Sequence, residues 1–326
     1  MKNPTNRIEY LDLARAIAII SVLFFHYPFR DNIPGLGGFF NTYFLTLFFC
    51  ISGFLTSPKE DIKWISNKAK RLLIPLLSFS ILYIPFLAFT RDANIFSTIQ
   101  SVLYEESKGG YWFVYVLFMC FGIIWIIHRG YKVLHFPQWL YIILLLLPWF
   151  ISVVLGFVLP QKIYYLFCLA SFRRYYLFFL FGMLLNNQKI QLITTKTISY
   201  VLISIAYISG AILFSCKYSG IETNTMFMVW MVLNILGCLW WLETCRRICL
   251  YHKLSNFTLW TSSDSLGIYL SHYFILRSTR DILPPPYLCS SWIMLILYTL
   301  MIYIYTISLT RLIRTNSFTT TLFLGK

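Results

Sequence analysis

Negative charge is scarce in this chain: 326 residues hold 12 Asp and Glu against 27 Lys and Arg, and charged residues of both signs make up only 12%. A soluble domain carries about 25% charged residues, so an ordinary cytosolic enzyme is excluded. With 58% hydrophobic residues, a disordered chain is excluded as well. The eight cysteines form no Cys-x-x-Cys pair and no Cys/His set at zinc spacing; neither a disulfide scaffold nor a metal site is expected. Internal repeats, low-complexity tracts and a small-residue cleavage site after the first apolar stretch are also missing. What is present is apolar: mean hydropathy is +0.69 and aromatics reach 19%. In a soluble protein the net charge of +15 would suggest nucleic acid. In a chain this apolar it suggests charges sorted across a lipid bilayer, and no nucleic-acid partner is expected.

A helix crosses a bilayer with about 20 mostly apolar residues. Ten stretches fit: Leu13–Phe29, Phe39–Leu55, Leu72–Phe89, Tyr111–Ile127, Trp139–Leu159, Tyr175–Leu185, Ile198–Phe214, Met226–Leu242, Leu259–Leu276 and Trp292–Leu309. The fold expected is all-α, a polytopic membrane bundle of about ten helices formed as one domain over 1–326. The setting is the cell membrane, inner or plasma, crossed many times. Placing both termini in the cytoplasm puts twice as many basic residues inside as outside, as the positive-inside rule requires. The sixth stretch is short and follows Arg173-Arg174, which fall on the outer side against that rule. Arg91–Gly110 reads as a loop, and Pro284-Pro285-Pro286 as a rigid outer turn. Cys168, Cys216 and Cys289 fall near the outer face, close enough in the topology to raise the question of pairing.

Ionisable residues inside a membrane are costly and mark candidate functional positions. The first stretch carries Arg15 and His26, and Asp12 stands just before it. Arg15 and His26 are eleven positions apart, three helical turns with about 20° of offset and roughly 16 Å of rise. Both therefore project from one face, one near the cytoplasmic interface and one deep in the membrane. Pairing of Arg15 with Asp12, with His26 a satisfied polar residue of the bundle, is the plain structural alternative. The chemical alternative is that His26 serves as a neutral imidazole, the form that a general base or an acyl-carrying nucleophile needs. Asp264 has two readings: it caps the ninth span within the Ser262-Ser263-Asp264 run, or it orients an imidazole.

The Arg15/His26 spacing after a Leu-Asp pair resembles the signature of the membrane-bound acyltransferase-3 family. Further segments are similar to that family's: Ser52-Gly53-Phe54 ending the second span, Lys68-Ala-Lys70-Arg71 entering the third, and Tyr111-Trp112-Phe113 opening the fourth. Phe181-Gly182-Met183-Leu184 and Ser265-Leu266-Gly267-Ile268-Tyr269-Leu270-Ser271-His272 complete the likeness. The resemblance implies an integral-membrane O-acyltransferase that moves an acyl group, commonly acetyl, from cytoplasmic acyl-CoA to a hydroxyl of a cell-surface or lipid-linked carbohydrate. No cofactor is implied, acetyl-CoA or another acyl-CoA being the donor substrate. His26 and Arg15 would be catalytic, and Arg15, Lys70 and Arg71 would hold acyl-CoA. Ser52, Tyr269 and His272 would line the pocket. Read from the topology, the outer-side cations Arg173 and Arg174 suit an anionic glycan, a lipid-linked diphosphate or lipid headgroups, and Trp112 suits a sugar face or an interfacial aromatic belt. Some relatives append a soluble esterase-like domain, so an extracytoplasmic step here would need a separate transferase partner. A glycan transporter or flippase is the alternative reading, which gives no reason for the Arg15/His26 spacing.

Overall fold

The computed structural model describes residues 8–135, 137–188, 190–191, 195–217, 224–279 and 291–326. Among these every regular element is a helix, and the helices pack as a bundle. Helix α1 is Glu9–Phe25, α2 Leu36–Phe40, α3 Phe44–Phe54, α4 Ile62–Thr90 and α5 Ile95–Tyr104. Then come α6 (Trp112–Leu134), α7 (Gln138–Val158), α8 (Gln161–Leu166) and α9 (Leu169–Leu185). The remainder is α10 (Thr197–Lys217), α11 (Asn224–Tyr251), α12 (Asn256–Thr279), α13 (Trp292–Ile313) and α14 (Ser317–Leu324). All ten expected stretches fall on helices, and the chain is a multi-pass membrane bundle. The Pro284-Pro285-Pro286 turn and Cys289 lie outside the described residues; Cys168 is buried and free, Cys216 exposed and free.

Among the described residues, seven passes are long and apolar enough to cross a membrane on composition alone: Leu36–Phe54, α4, α6, α7, α10, Thr225–Tyr251 and α13. The other three, α1, α9 and α12, are shorter or more polar because they face protein rather than lipid. Ile19, Val22, Phe178, Phe179, Ile268 and Leu270 are fully or almost fully buried. Conversely α7 buries only 6% of its most apolar window. Apolar helices outside and mixed helices inside is the arrangement expected where lipid is the solvent.

Glycine sets the closest crossing. A Cβ on Gly53 would lie 1.9 Å from the Phe179 carbonyl oxygen, and one on Gly182 1.9 Å from that of Cys50. Helices α3 and α9 therefore touch backbone to backbone, the approach that small residues permit in membranes. This gives Ser-Gly-Phe and Phe-Gly their physical meaning. Gly182→Ala should destabilise the protein by about 1–3 kcal/mol through overpacking, read as a lowered melting temperature in detergent, with Phe181→Leu as a milder control.

Three boundaries differ from the sequence expectation. The second pass is broken between α2 and α3, and the freed Asn41 carbonyl accepts from Trp230 Nε1 at 2.9 Å and Asn234 Nδ2 at 3.2 Å. Helix α9 starts at Leu169, so Arg173 and Arg174 lie within it instead of before it. The expected loop after Arg91 contains α5, whose first turn is capped by Asn94 Oδ1 accepting from Phe96 N at 2.8 Å. Ile95, Ile99 and Leu103 recur there at helical spacing.

Candidate active site

Two groups of side chains stand at the two ends of α1. At its start Asp12 is buried and accepts from Ser262 Oγ at 2.6 Å, while Arg15 Nη1 lies 3.9 Å away. Arg15 lines a cavity of about 210 Å³ with Ser52 of α3, Lys68 and Arg71 of α4, Phe113 of α6 and Tyr269 of α12. Lys68 and Arg71 are three residues apart and so share a face of α4; Lys68 Nζ lies 4.2 Å over the Phe121 ring. Three cations and no carboxylate line this cavity, the remaining walls being mostly apolar. It suits a ligand with an anionic end and an apolar stem.

Arg71 also faces a second cavity, of about 360 Å³, with Lys70, Asn67 and Lys326. The segment after α14 builds it. Gly325 takes φ +64 and rests on the Lys70–Arg71 backbone, where a Cβ would come within 2.6 Å of Arg71 Cα; only glycine meets both demands. Lys326 Nζ donates to the Ser263 carbonyl at 2.8 Å. Burial, aided by the neighbouring cation Arg314, lowers the Lys326 ammonium to about 8.

His26 closes the far end of α1, its backbone N–H donating to the Val22 carbonyl at 3.1 Å. Its ring stands 5.2 Å from that of His272 and 5.3 Å from that of Tyr273, centre to centre. The Tyr273 hydroxyl is 3.3 Å from His26 Nε2. His272 is fully buried with Nδ1 against the Tyr269 carbonyl. A carbonyl only accepts, so Nδ1 carries the proton and Nε2 a lone pair, and Nε2 has no hydrogen-bond partner among the described residues. The turn before α6 closes over this group. Tyr269 Oη donates to the Gly110 carbonyl at 2.6 Å and Tyr111 Oη to the Leu270 carbonyl at 3.0 Å. Gly110, at φ +104, packs on Tyr273, whose ring a Cβ would meet at 2.2 Å. Tyr269 joins the two ends, lining the Arg15 cavity while its ring stands 5.6 Å from His272.

Of the residues singled out from the sequence, Arg15, Ser52, Arg71 and Tyr269 share one cavity, and His26 and His272 stand together beyond Tyr269. Lys70 faces the second cavity. Trp112 is apart, stacked on Tyr175 at 5.1 Å, and Arg173 and Arg174 line a third cavity. Asp264 neither caps a helix nor orients an imidazole. It lies inside α12 and pairs with Arg314 and with Arg311, the latter at 3.8 Å, because α13 returns two cations to that depth. Tyr273 carries no mark in the sequence, and Lys68 stands out there only as part of the basic cluster. The three-residue spacing to Arg71 could have favoured Lys68 over Lys70, whereas nothing in the sequence marks Tyr273 as a neighbour of a residue 247 positions earlier.

The family model Acyl_transf_3, described as an acyltransferase domain, matches residues 8–313. No curated protein and no solved structure matches the chain.

Proposed function

The chain belongs to the acyltransferase-3 family, a membrane acyltransferase, and from that premise we propose that it moves an acyl group from acyl-CoA at the Arg15 end of α1 to a carbohydrate hydroxyl at the His26 end. The observation that carries this reading is one helix bearing a cation at a cation-lined cavity and an imidazole three turns further on. On this account the nucleotide end of the donor, with its phosphates, lies across the two cavities that share Arg71. Lys70 and Lys326 hold it in one; Arg15, Lys68 and Arg71 hold it in the other. The apolar stem of the donor runs toward Tyr269. Lys/Arg excess at this end makes it the cytoplasmic one, and the inner or plasma membrane is the proposed setting. Acetyl is the acyl group favoured, on the family resemblance.

The chemistry assigned to His26 is general base catalysis. Nε2 takes the proton of the acceptor hydroxyl as its oxygen attacks the thioester carbonyl; collapse of the tetrahedral adduct breaks the C–S bond, and the departing CoA sulfur takes the proton back from the imidazolium. Before the acceptor binds, Tyr273 is within reach of donating to Nε2 and holds the ring in place; the acceptor hydroxyl takes over that lone pair on binding. The base assignment is favoured over an acyl-imidazole because His26 is ringed by Tyr273 and His272, two groups suited to holding and passing a proton. Tyr273→Phe should slow turnover about tenfold, one hydrogen bond's worth near 1.4 kcal/mol, with donor affinity unchanged by titration. The reading is tested by purified protein in nanodiscs given labelled acetyl-CoA and surface carbohydrate. Carbohydrate-stimulated release of free CoA thiol is expected; carbohydrate binding or movement without thiol release favours the transporter.

A further inference from the structure

A third cavity, of about 450 Å³, lies among α7, α8 and the first turns of α9, lined by Glu106, Gln161, Tyr164, Tyr165, Arg173 and Arg174. Tertiary packing builds it. Trp149 Nε1 donates to the Arg173 carbonyl at 2.9 Å, tying α7 to α9, and Tyr164 Oη donates to the Ser152 carbonyl at 3.2 Å, tying α8 to α7. Ser171 Oγ reaches Glu106 Oε1 at 3.4 Å, bringing in the turn before α6. Two half-buried guanidiniums face this space, and among the described residues neither forms an ion pair with a carboxylate.

Its position in the bundle is informative. Glu106 belongs to the turn whose Gly110 carbonyl accepts from Tyr269 and whose Gly110 packs on Tyr273. The cavity is therefore at the His26 end, away from the cations that face the donor. Arg173 and Arg174 cannot be cytoplasmic anchors, since the topology puts them on the side that the positive-inside rule depletes. Neither the basic tally nor the acyl-transfer step accounts for them.

We propose that this cavity recognises the charge of the acceptor: it takes an anionic group, carboxylate or phosphoryl, on the carbohydrate whose hydroxyl is acylated. Two adjacent guanidinium forks match either anion through paired charge-assisted hydrogen bonds. Tyr165 and Gln161 add neutral donors and a ring face for the sugar, and the single Glu106 carboxylate accepts from sugar hydroxyls. The inference rests on the reading of the His26 end as the acceptor side, and it narrows the substrate to an acidic carbohydrate.

Full-length protein in phosphatidylcholine nanodiscs, titrated calorimetrically with glucuronate, glucose 1-phosphate and glucose, tests it. The two anions should bind at least about tenfold more tightly than glucose. The Arg173→Gln/Arg174→Gln double variant should lose that preference while its CoA affinity stays at the wild-type value; Arg173→Lys/Arg174→Lys should keep part of it. Equal binding of the three sugars, binding of none, or an anion preference untouched by the glutamines overturns the proposal. So does displacement of glucuronate when phosphatidylglycerol replaces half of the lipid, for then the arginines hold a headgroup. A protein that binds the anionic sugars but not CoA contradicts the donor assignment and leaves this one standing.

Discussion

Purified His26→Ala protein should release CoA thiol from acyl-CoA in the presence of acceptor about 10²–10⁴ times more slowly than wild type, the usual contribution of a positioned acid–base group. Its affinity for CoA should stay within about twofold, because His26 does not line the cavities that hold the cations. The contrast separates chemistry from folding, since a misfolded bundle would lose both. His26→Gln keeps a polar side chain beside Tyr273 and should be equally slow. A variant that turns over at the wild-type rate would remove His26 from the mechanism, and one that loses CoA binding would make its role structural. His272→Ala should be milder: His272 meets Tyr269 through Nδ1 and neighbours the base without bonding it.

The second large effect concerns the donor. Arg71→Gln should weaken CoA binding about 10–100-fold, since each hydrogen bond to a charged group contributes about 1.5–3 kcal/mol and Arg71 serves both cavities. Lys326→Gln should act more selectively, lowering affinity for CoA several-fold and for dephospho-CoA hardly at all, if the 3′-phosphate occupies the Lys70/Lys326 cavity. Equal losses for the two ligands would place that phosphate elsewhere. The pH dependence has a defined sign. Bound anion favours the charged ammonium, so donor affinity should fall as pH rises through about 8, where Lys326 loses its proton. In the free protein the folded ammonium titrates at about 8 against an ordinary 10.5. The unfolded chain thus binds more protons between those values, and stability should rise with pH across that window. Lys326→Gln should flatten both profiles, measured by calorimetric titration and by melting temperature.

Much of this architecture is written in local pattern. Apolar runs mark the passes: Leu13–Phe29 and Leu259–Leu276 mark α1 and α12, and the short run Tyr175–Leu185 marks α9, three helices that composition alone does not admit as spans. The Arg15/His26 spacing needs no more than helix geometry, and the structure places Arg15 at a cation-lined cavity at one end of α1 and His26 at the other. Contacts between distant segments are the part that pattern does not encode. Asp264 looked like a cap because serines precede it, yet α12 begins eight residues earlier at Asn256 and α13 supplies its partners. Lys68 and Lys70 sit in one basic cluster, but two positions along α4 turn a side chain by about 200°, so Lys68 lines one cavity and Lys70 the other. Trp112 fits an aromatic lining motif, but Tyr175 from α9 stacks against it instead.

Passage of the acyl group along α1, from the Arg15 end to the His26 end, is measured by sidedness. In sealed vesicles with the cytoplasmic face of the protein inward, acyl-labelled CoA is enclosed and acidic carbohydrate supplied outside. Label should appear on the external carbohydrate with matching free thiol inside, and neither should appear with His26→Ala. Intact acyl-CoA within the vesicles, while unlabelled carbohydrate crosses the membrane, would contradict that passage.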